Sequence, residues 1–401
     1  MNCQEVCFQL FADKTAYYHQ WYHDRPMLIT SERRDELRRM QALLYKCIVY
    51  MAENYREWVP RYMPLGDKVM EVLDRQSRYP FRAGAYRPDY LISDDGRLLL
   101  VEITSRFFGH GIWANYPSVV KAEQFMAEHP DASWENRYDD LLTYMRDIIP
   151  EGSSIYVFKS SDRGSESTFY KRFYEYYGHE VTIYEAEEVE AHIDQWSHDA
   201  VVISALNQQD LLSFRMETLQ AIIDARMLND FRTIFLIHDK RFLHLIFVDD
   251  FTRQCLTEEE TAFLRAHTIP TYLYNRNKEI WEDAMQHKNR YILKPYDLGK
   301  SVGLYAGVMT DEETWKKNLI ESEKGGFILQ PFIHQRTYPC EWEGMHYDDY
   351  VCGLMLCMDD RYFDSGVFRT SSAPVTNKVD DRKIFVIHSD DEELKKYCFV
   401  L

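Results

Sequence analysis

The 401-residue chain is short of positive charge: 47 Lys and Arg stand against 65 Asp and Glu, a formal net charge of -18. At long range that balance repels nucleic-acid backbones and anionic membranes, so neither is expected as a partner, although a local basic pocket could still hold a small polyanion. Paired cysteines are also missing. The eight cysteines (Cys3, Cys7, Cys47, Cys255, Cys340, Cys352, Cys357 and Cys398) are scattered, with no CxxC pair and no Cys/His cluster at structural-zinc spacing, which suits a reducing cytoplasm. No window reaches the roughly 18 apolar residues needed to span a bilayer. The start, MNCQEVCFQLFADKTAYYHQ, has no basic segment leading into a smooth apolar core, so a cytoplasmic, unprocessed chain is expected. Internal repeats and low-complexity linkers are lacking too.

What is present is a folded composition, 45% hydrophobic and 15% aromatic, in a chain long enough for two or three domains. SERRDELRRMQALLYKCIVYMAENYREW places Leu37, Met40, Leu43, Leu44, Cys47, Ile48 and Met51 at helical spacing, with Ser31 as the expected cap. Residues 1–76 are expected to form an N-terminal helical segment. Two apolar runs around Asp94, Asp95 and Gly96 then predict a hairpin over 87–104. After the helical DDLLTYMRDI, the runs SSIYVF, FYKRFYEYYG, HEVTIYEA and AVVISAL predict strand, helix, strand and strand, an α/β layer over 151–268. The loop after SSIYVF lacks GxGxxG, which leaves a nicotinamide or flavin dinucleotide site without support. TIFLIHD reads as a further strand, Thr257 as the head of a helix, and the last third as short strands.

The hairpin contains the first chemistry. With Asp95 and Gly96 as a two-residue turn, Asp89 faces Glu102 and Arg87 faces Thr104. Two carboxylates about 5 Å apart repel by on the order of 3 kcal/mol at an effective dielectric near 20. Either one turns to solvent at a sheet edge, or the pair needs a cation: Arg87, Arg106 or a divalent metal, with the Thr104 hydroxyl as a further ligand. A one-residue slip in register would send the acids to opposite faces.

Further along, an apolar run ends in Lys294 and a short loop follows with Gly299, Lys300, Ser301, Val302 and Gly303. Small residues let backbone N–H groups approach phosphate oxygens and the lysines add charge, although GxxxxGK[ST] is absent and a plain hairpin would read the same. Gln330, with Pro331 and Phe332, ends another apolar strand, where a polar side chain could meet an adenine edge.

Taken together, these parts resemble the ATP-grasp fold, in its circularly permuted branch, because the acidic pair precedes the nucleotide-gripping residues. The ordered motifs are similar to the synthetase domain of glutathionylspermidine synthetase: Arg87, Pro88 and Asp89, then Glu102 to Thr104, Asn277 with Lys278, Lys294 with Pro295, the 299–303 loop and Gln330. Gly366 to Arg369 looks like the family's Gly-x-x-x-Arg with a one-residue contraction, and Val375 to Asn377 like its Ile-Thr-Asn. The resemblance implies a mixed α+β and α/β chain: a metal-binding part of the core over 77–150, a pre-ATP-grasp layer over 151–268, and a nucleotide-gripping lobe with return to the core over 269–401. It implies ATP and Mg²⁺ as cofactors. Asp89, Glu102 and Thr104 would hold the metal, Lys278 and Lys294 the phosphates, and Arg369, with Arg87, the transferred group.

The implied reaction is ATP-dependent ligation of a small-molecule or peptide carboxylate to an amine. The alternatives are acyl transfer to a carrier-protein thiol or a peptide hydroxyl, and a nucleotide-binding protein without activity. Thr104 stands where the family usually has Asn, a departure that loosens one metal ligand. The helices ahead of the synthetase-like part offer no Cys/His catalytic context, so an amidase activity is not expected. Arg106, just past the metal strand, could pair with a substrate carboxylate or simply neutralise the acids, and Asn377 is a further candidate for substrate.

Overall fold

The computed structural model describes residues 1–13, 21–109, 111–160, 164–198, 200–299, 301–376, 379–380 and 382–401. In chain order the strands are β1 (Met27–Ile29), β2 (Ala85–Ile92) and β3 (Leu98–Thr104), then β4 (Ser154–Lys159), β5 (Val181–Glu185), β6 (Ala200–Ala205) and β7 (Arg226–Met227). Next come β8 (Tyr291–Pro295), β9 (Tyr305–Ala306) and β10 (Phe327–Pro331), and finally β11 (Thr337–Trp342), β12 (Met345–Met358), β13 (Arg361–Ser371), β14 (Arg382–His388) and β15 (Phe399–Val400).

They form three sheets among the described residues. The largest runs β15-β1-β14-β13-β12-β2-β3, with β11 beside the first half of β12. Its central strand β12 is buried throughout from Val351 to Met358, as a strand covered on both faces must be. The helix Ser31–Tyr62 lays Leu37, Leu44, Cys47, Ile48 and Met51 into the main core that also holds Tyr90, Met355 and Phe368. Its cap is Thr30, whose hydroxyl accepts from the Arg33 amide at 3.5 Å, while Ser31 opens the helix itself. The N-terminal segment is not purely helical, because β1 inserts parallel to both β14 and β15.

The second sheet is parallel, β5-β4-β6-β7, with the helix Gly164–Tyr176 crossing between β4 and β5. This is the expected α/β layer. TIFLIHD is a correction: Thr233–Ile237 is a buried π-helical turn. A short continuous apolar run has no periodicity to separate a buried strand from a buried helix. Thr257 does cap the helix Glu258–Ala266, through a capping box with Glu260. The third sheet, β10-β8-β9, packs on the helices Lys278–Gln286 and Glu312–Ser322 around Trp281, Leu293, Trp315 and Leu329.

Candidate functional site

The hairpin β2–β3 places the acids as expected, by a different route. Ser93 N donates to Arg97 O and Gly96 N to Ser93 O, so Asp94, Asp95 and Gly96 form a three-residue connection with Gly96 at φ +83°. Near the turn Ile92 therefore pairs with Leu98 and Tyr90 with Leu100. Val101 is then one residue too many, a bulge that restores Asp89 opposite Glu102 and Arg87 opposite Thr104.

Those residues line a cleft of about 410 Å³ whose other wall is β8 and the loop that follows it. Five cations (Arg87, Arg106, Lys240, Lys294 and Arg369) and two carboxylates (Asp89 and Glu102) face this space together. The excess of positive charge is local, set within a chain of net charge -18. Three of the cations, Arg87, Lys240 and Lys294, are buried, where their field is least screened by solvent.

The two acids differ in their surroundings. Asp89 is buried and clamped from both sides by Arg87, Nε to Oδ1 at 2.7 Å and Nη2 to Oδ2 at 2.8 Å. Arg87 Nη2 also reaches the Thr104 hydroxyl at 3.5 Å, while its Nη1 is buried with no acceptor among the described residues. Burial pushes the Asp89 carboxyl up against the pull of Arg87. Glu102 is the more open, with its side chain 30% exposed and Lys240 Nζ at 3.7 Å. Burial would raise its pKa, but Lys240, Lys294, Arg87 and Arg369 together hold it below the ordinary carboxylate value. The compensating charge that the acidic pair requires is thus supplied by the protein itself.

Lys294 is the penultimate residue of the strand β8, and burial pushes its amine down to about 8, with Glu102 opposing that shift and Lys240 adding to it. In the loop beyond, Ser301 and Gly303 adopt positive φ of 55° and 67°. Val302 N donates to Gly299 O and Leu304 N to Ser301 O, so these two amides are spent inside the turn. Ser301 Oγ donates to Thr376 O at 3.2 Å, joining the loop to the Pro374–Thr376 segment that also lines the cleft. A Cβ at Gly299 would lie 2.8 Å from the Arg106 guanidinium, so a larger residue there would displace the end of that side chain. Gly303 approaches Pro295 and does not line the cleft.

Besides Gly303, four expected site residues lie elsewhere. Lys278 is exposed at the head of its helix, its ammonium 5.8 Å from the Tyr274 ring centroid. Gln330 is fully buried, donating to Thr271 Oγ1 at 2.9 Å and to the carbonyl of the bulge residue Val101 at 3.4 Å. It ties the third sheet to β3, and burial keeps it from meeting a base. Pro331 and Phe332, at the end of β10, do not line the cleft either. Lys300 and Asn377 lie outside the described residues. Gly366 is structural: a Cβ would fall 1.8 Å from the Asn115 amide oxygen.

Lys240 and His238 were not anticipated. Lys240 is buried, its Nζ donating to Leu298 O at 2.5 Å and its backbone N–H to Tyr296 O at 2.9 Å. Next to it Arg241 stacks on the Tyr296 ring at 3.7 Å, so residues 239–241 dock onto the start of the glycine loop. His238 Nδ1 lies 3.2 Å from Ile103 O. The apolar run before them is the π-helical turn Thr233–Ile237, which offers no period by which the sequence could place the residues that follow it.

The arrangement is that of a mixed α/β protein with a cation-rich cleft between two sheets. Over residues 40–236 the chain is similar to a family described as the AnkG N-terminal domain. That stretch contains Arg87, Asp89, Glu102, Thr104 and Arg106 but ends before Lys240, Lys294 and Arg369. No curated protein matches the chain. No helix is long and apolar enough to cross a membrane among the described residues.

Proposed function

We propose that the cleft binds the polyphosphate of ATP and that the protein is an ATP-dependent carboxylate–amine ligase of the ATP-grasp type. The observation that carries the nucleotide half of this reading is the convergence of Lys294, the glycine loop, Arg369 and the Arg87–Glu102–Thr104 group on one cleft. The ligase half rests on the resemblance of the ordered motifs to glutathionylspermidine synthetase.

For Mg²⁺ the donors facing the cleft are the Glu102 carboxylate, held ionised by its cations, and the Thr104 hydroxyl. Asp89 has both oxygens in the Arg87 clamp. Such a set fits an ion that takes most of its ligands from phosphate oxygens and water. When bound, the metal would neutralise charge between adjacent phosphates. Lys294 and Lys240 would pair with phosphate oxygens, and Arg369 and Arg106 would orient the carboxylate, whose oxygen would attack the terminal phosphorus as the bond to ADP breaks. An amine would then attack the acyl carbon and lose a proton as phosphate departs, leaving the amide.

A second reading, a nucleotide-binding protein without turnover, is favoured by the same Asp89 clamp, which leaves Glu102 as the one carboxylate in the cleft, among the described residues, that is not held in such a clamp. The discriminating measurement is ADP release across a panel of amino acids, peptides and dicarboxylates, with hydroxylamine to trap acyl phosphate. ADP that appears only with both an acid and an amine supports the ligase; tight ATP binding with no turnover in any mixture supports the binding protein. Lys294→Ala should weaken ATP binding by about tenfold to a hundredfold, the worth of a charge-assisted hydrogen bond, with the thermal unfolding midpoint retained. An unchanged Kd would remove Lys294 from the phosphate site.

A further inference from the structure

Two thiols far from the cleft meet in a way the nucleotide reading does not use. Cys47, on the buried face of the helix Ser31–Tyr62, and Cys255, at the end of the helix Asp249–Cys255, have their sulfurs 3.8 Å apart. Both are reduced, and Cys255 is the one cysteine of the eight that is not buried. We infer that Cys47 and Cys255 form an oxidation-responsive dithiol, in which Cys255 is the thiol attacked by hydroperoxides and Cys47 the thiol that resolves the product.

The asymmetry has a physical basis. Cys47 faces Cys255 as a hydrogen-bond partner, which holds the Cys255 thiol below its ordinary value against the opposing effect of burial; Lys46 assists and Glu260 opposes. Cys47 is pushed the other way, by that same contact and by burial. The more acidic thiol is therefore the one that solvent reaches, as a reactive cysteine requires. Most other thiols of the chain, Cys7, Cys340, Cys352, Cys357 and Cys398, are buried and shifted upward, chiefly by desolvation.

The chemistry balances with a hydroperoxide as oxidant. The Cys255 thiolate attacks the outer peroxide oxygen; the O–O bond breaks, the sulfur is oxidised to a sulfenic acid, and the peroxide leaves as an alcohol or water after taking a proton. Cys47 sulfur then attacks the Cys255 sulfur, its own proton leaving with the sulfenic hydroxyl as water, and the S–S bond forms. The sulfurs must close from 3.8 Å to about 2.05 Å, and Cys255 stands at the end of a seven-residue helix, where the closing shift would fall. The bond would fasten helix Asp249–Cys255 to the helix Ser31–Tyr62.

The full chain, exposed to hydrogen peroxide and mapped without reduction, tests this. Cys255 should be consumed at least about tenfold faster than the buried cysteines, and a Cys47–Cys255 linked peptide should accumulate. In Cys47→Ala the reaction should stop at a dimedone-reactive sulfenic acid on Cys255, and in Cys255→Ser Cys47 should stay reduced. Equal reactivity of Cys255 and the buried thiols, or wild-type Cys255 passing to sulfinic acid without a linked peptide, overturns the inference. Neither result depends on whether the cleft binds ATP.

Discussion

At the scale of residues, Lys294 carries the sharpest consequence. A buried amine brought down to about 8 is charged at neutral pH and loses its proton just above it. On the proposed reading polyphosphate pairs only with the charged form, so ATP affinity should fall as pH rises through about 8 in the wild type, and Lys294→Arg, charged throughout, should flatten that fall in a calorimetric titration series. The linked effect on stability has the opposite sign. The folded state holds the Lys294 proton less tightly than the unfolded chain, so the charged form costs stability below about 8, and the cost is relieved as pH climbs towards the unfolded value of about 10.4. Lys240→Met tests the neighbouring cation: it should lower ATP affinity by about tenfold and increase hydrogen exchange at 299–303, because the ammonium also holds Leu298 O. An unchanged exchange pattern would mean the loop stands without it.

At the scale of elements, the hairpin shows how an expectation can be right through two errors. The turn is a residue longer than its Asp-Gly signature suggests, and the bulge at Val101, which no sequence pattern marks, compensates. Lys294 and the loop after it were legible because they follow an apolar strand pattern, and Arg369 only through the resemblance of its motif. Lys240 was not, since a π-helical turn offers no period to read. The short strand β1 was hidden for a related reason: three residues are too few for alternation, and its partners lie at the other end of the chain. Register between β2 and β12 depends on Gly353, where a Cβ would sit 2.2 Å from the Tyr90 ring. Gly353→Ala should therefore cost roughly 1–3 kcal/mol in denaturant unfolding, with partial recovery in the double variant Gly353→Ala/Tyr90→Leu. At the end of β14, burial takes the His388 imidazole down to about 4, with Arg34 adding to that shift and Asp364 opposing it. The unfolded chain takes up this proton below about 6.5, so stability should decline between pH 6.5 and 4, by on the order of 3 kcal/mol from this group, and decline less in His388→Asn.

At the scale of the whole molecule, a field of net charge -18 surrounds a cleft of the opposite sign. An approaching polyanion is repelled from afar and attracted only at close quarters, and salt screens the distant interaction more than the buried one. The association rate of ATP, measured by stopped flow, should therefore rise between about 10 and 150 mM salt, where a steered encounter would slow. The largest sheet adds a constraint of its own kind. Met27 of β1 lies between Val386 of β14 and Phe399 of β15, so a strand made well before both of its neighbours stays without them until those residues have left the ribosome. Until then three apolar residues, all buried in the finished sheet, are open to solvent and to other chains. The nascent protein is in that interval a natural client for chaperones, and its yield in a cell should depend on them more than its finished stability suggests.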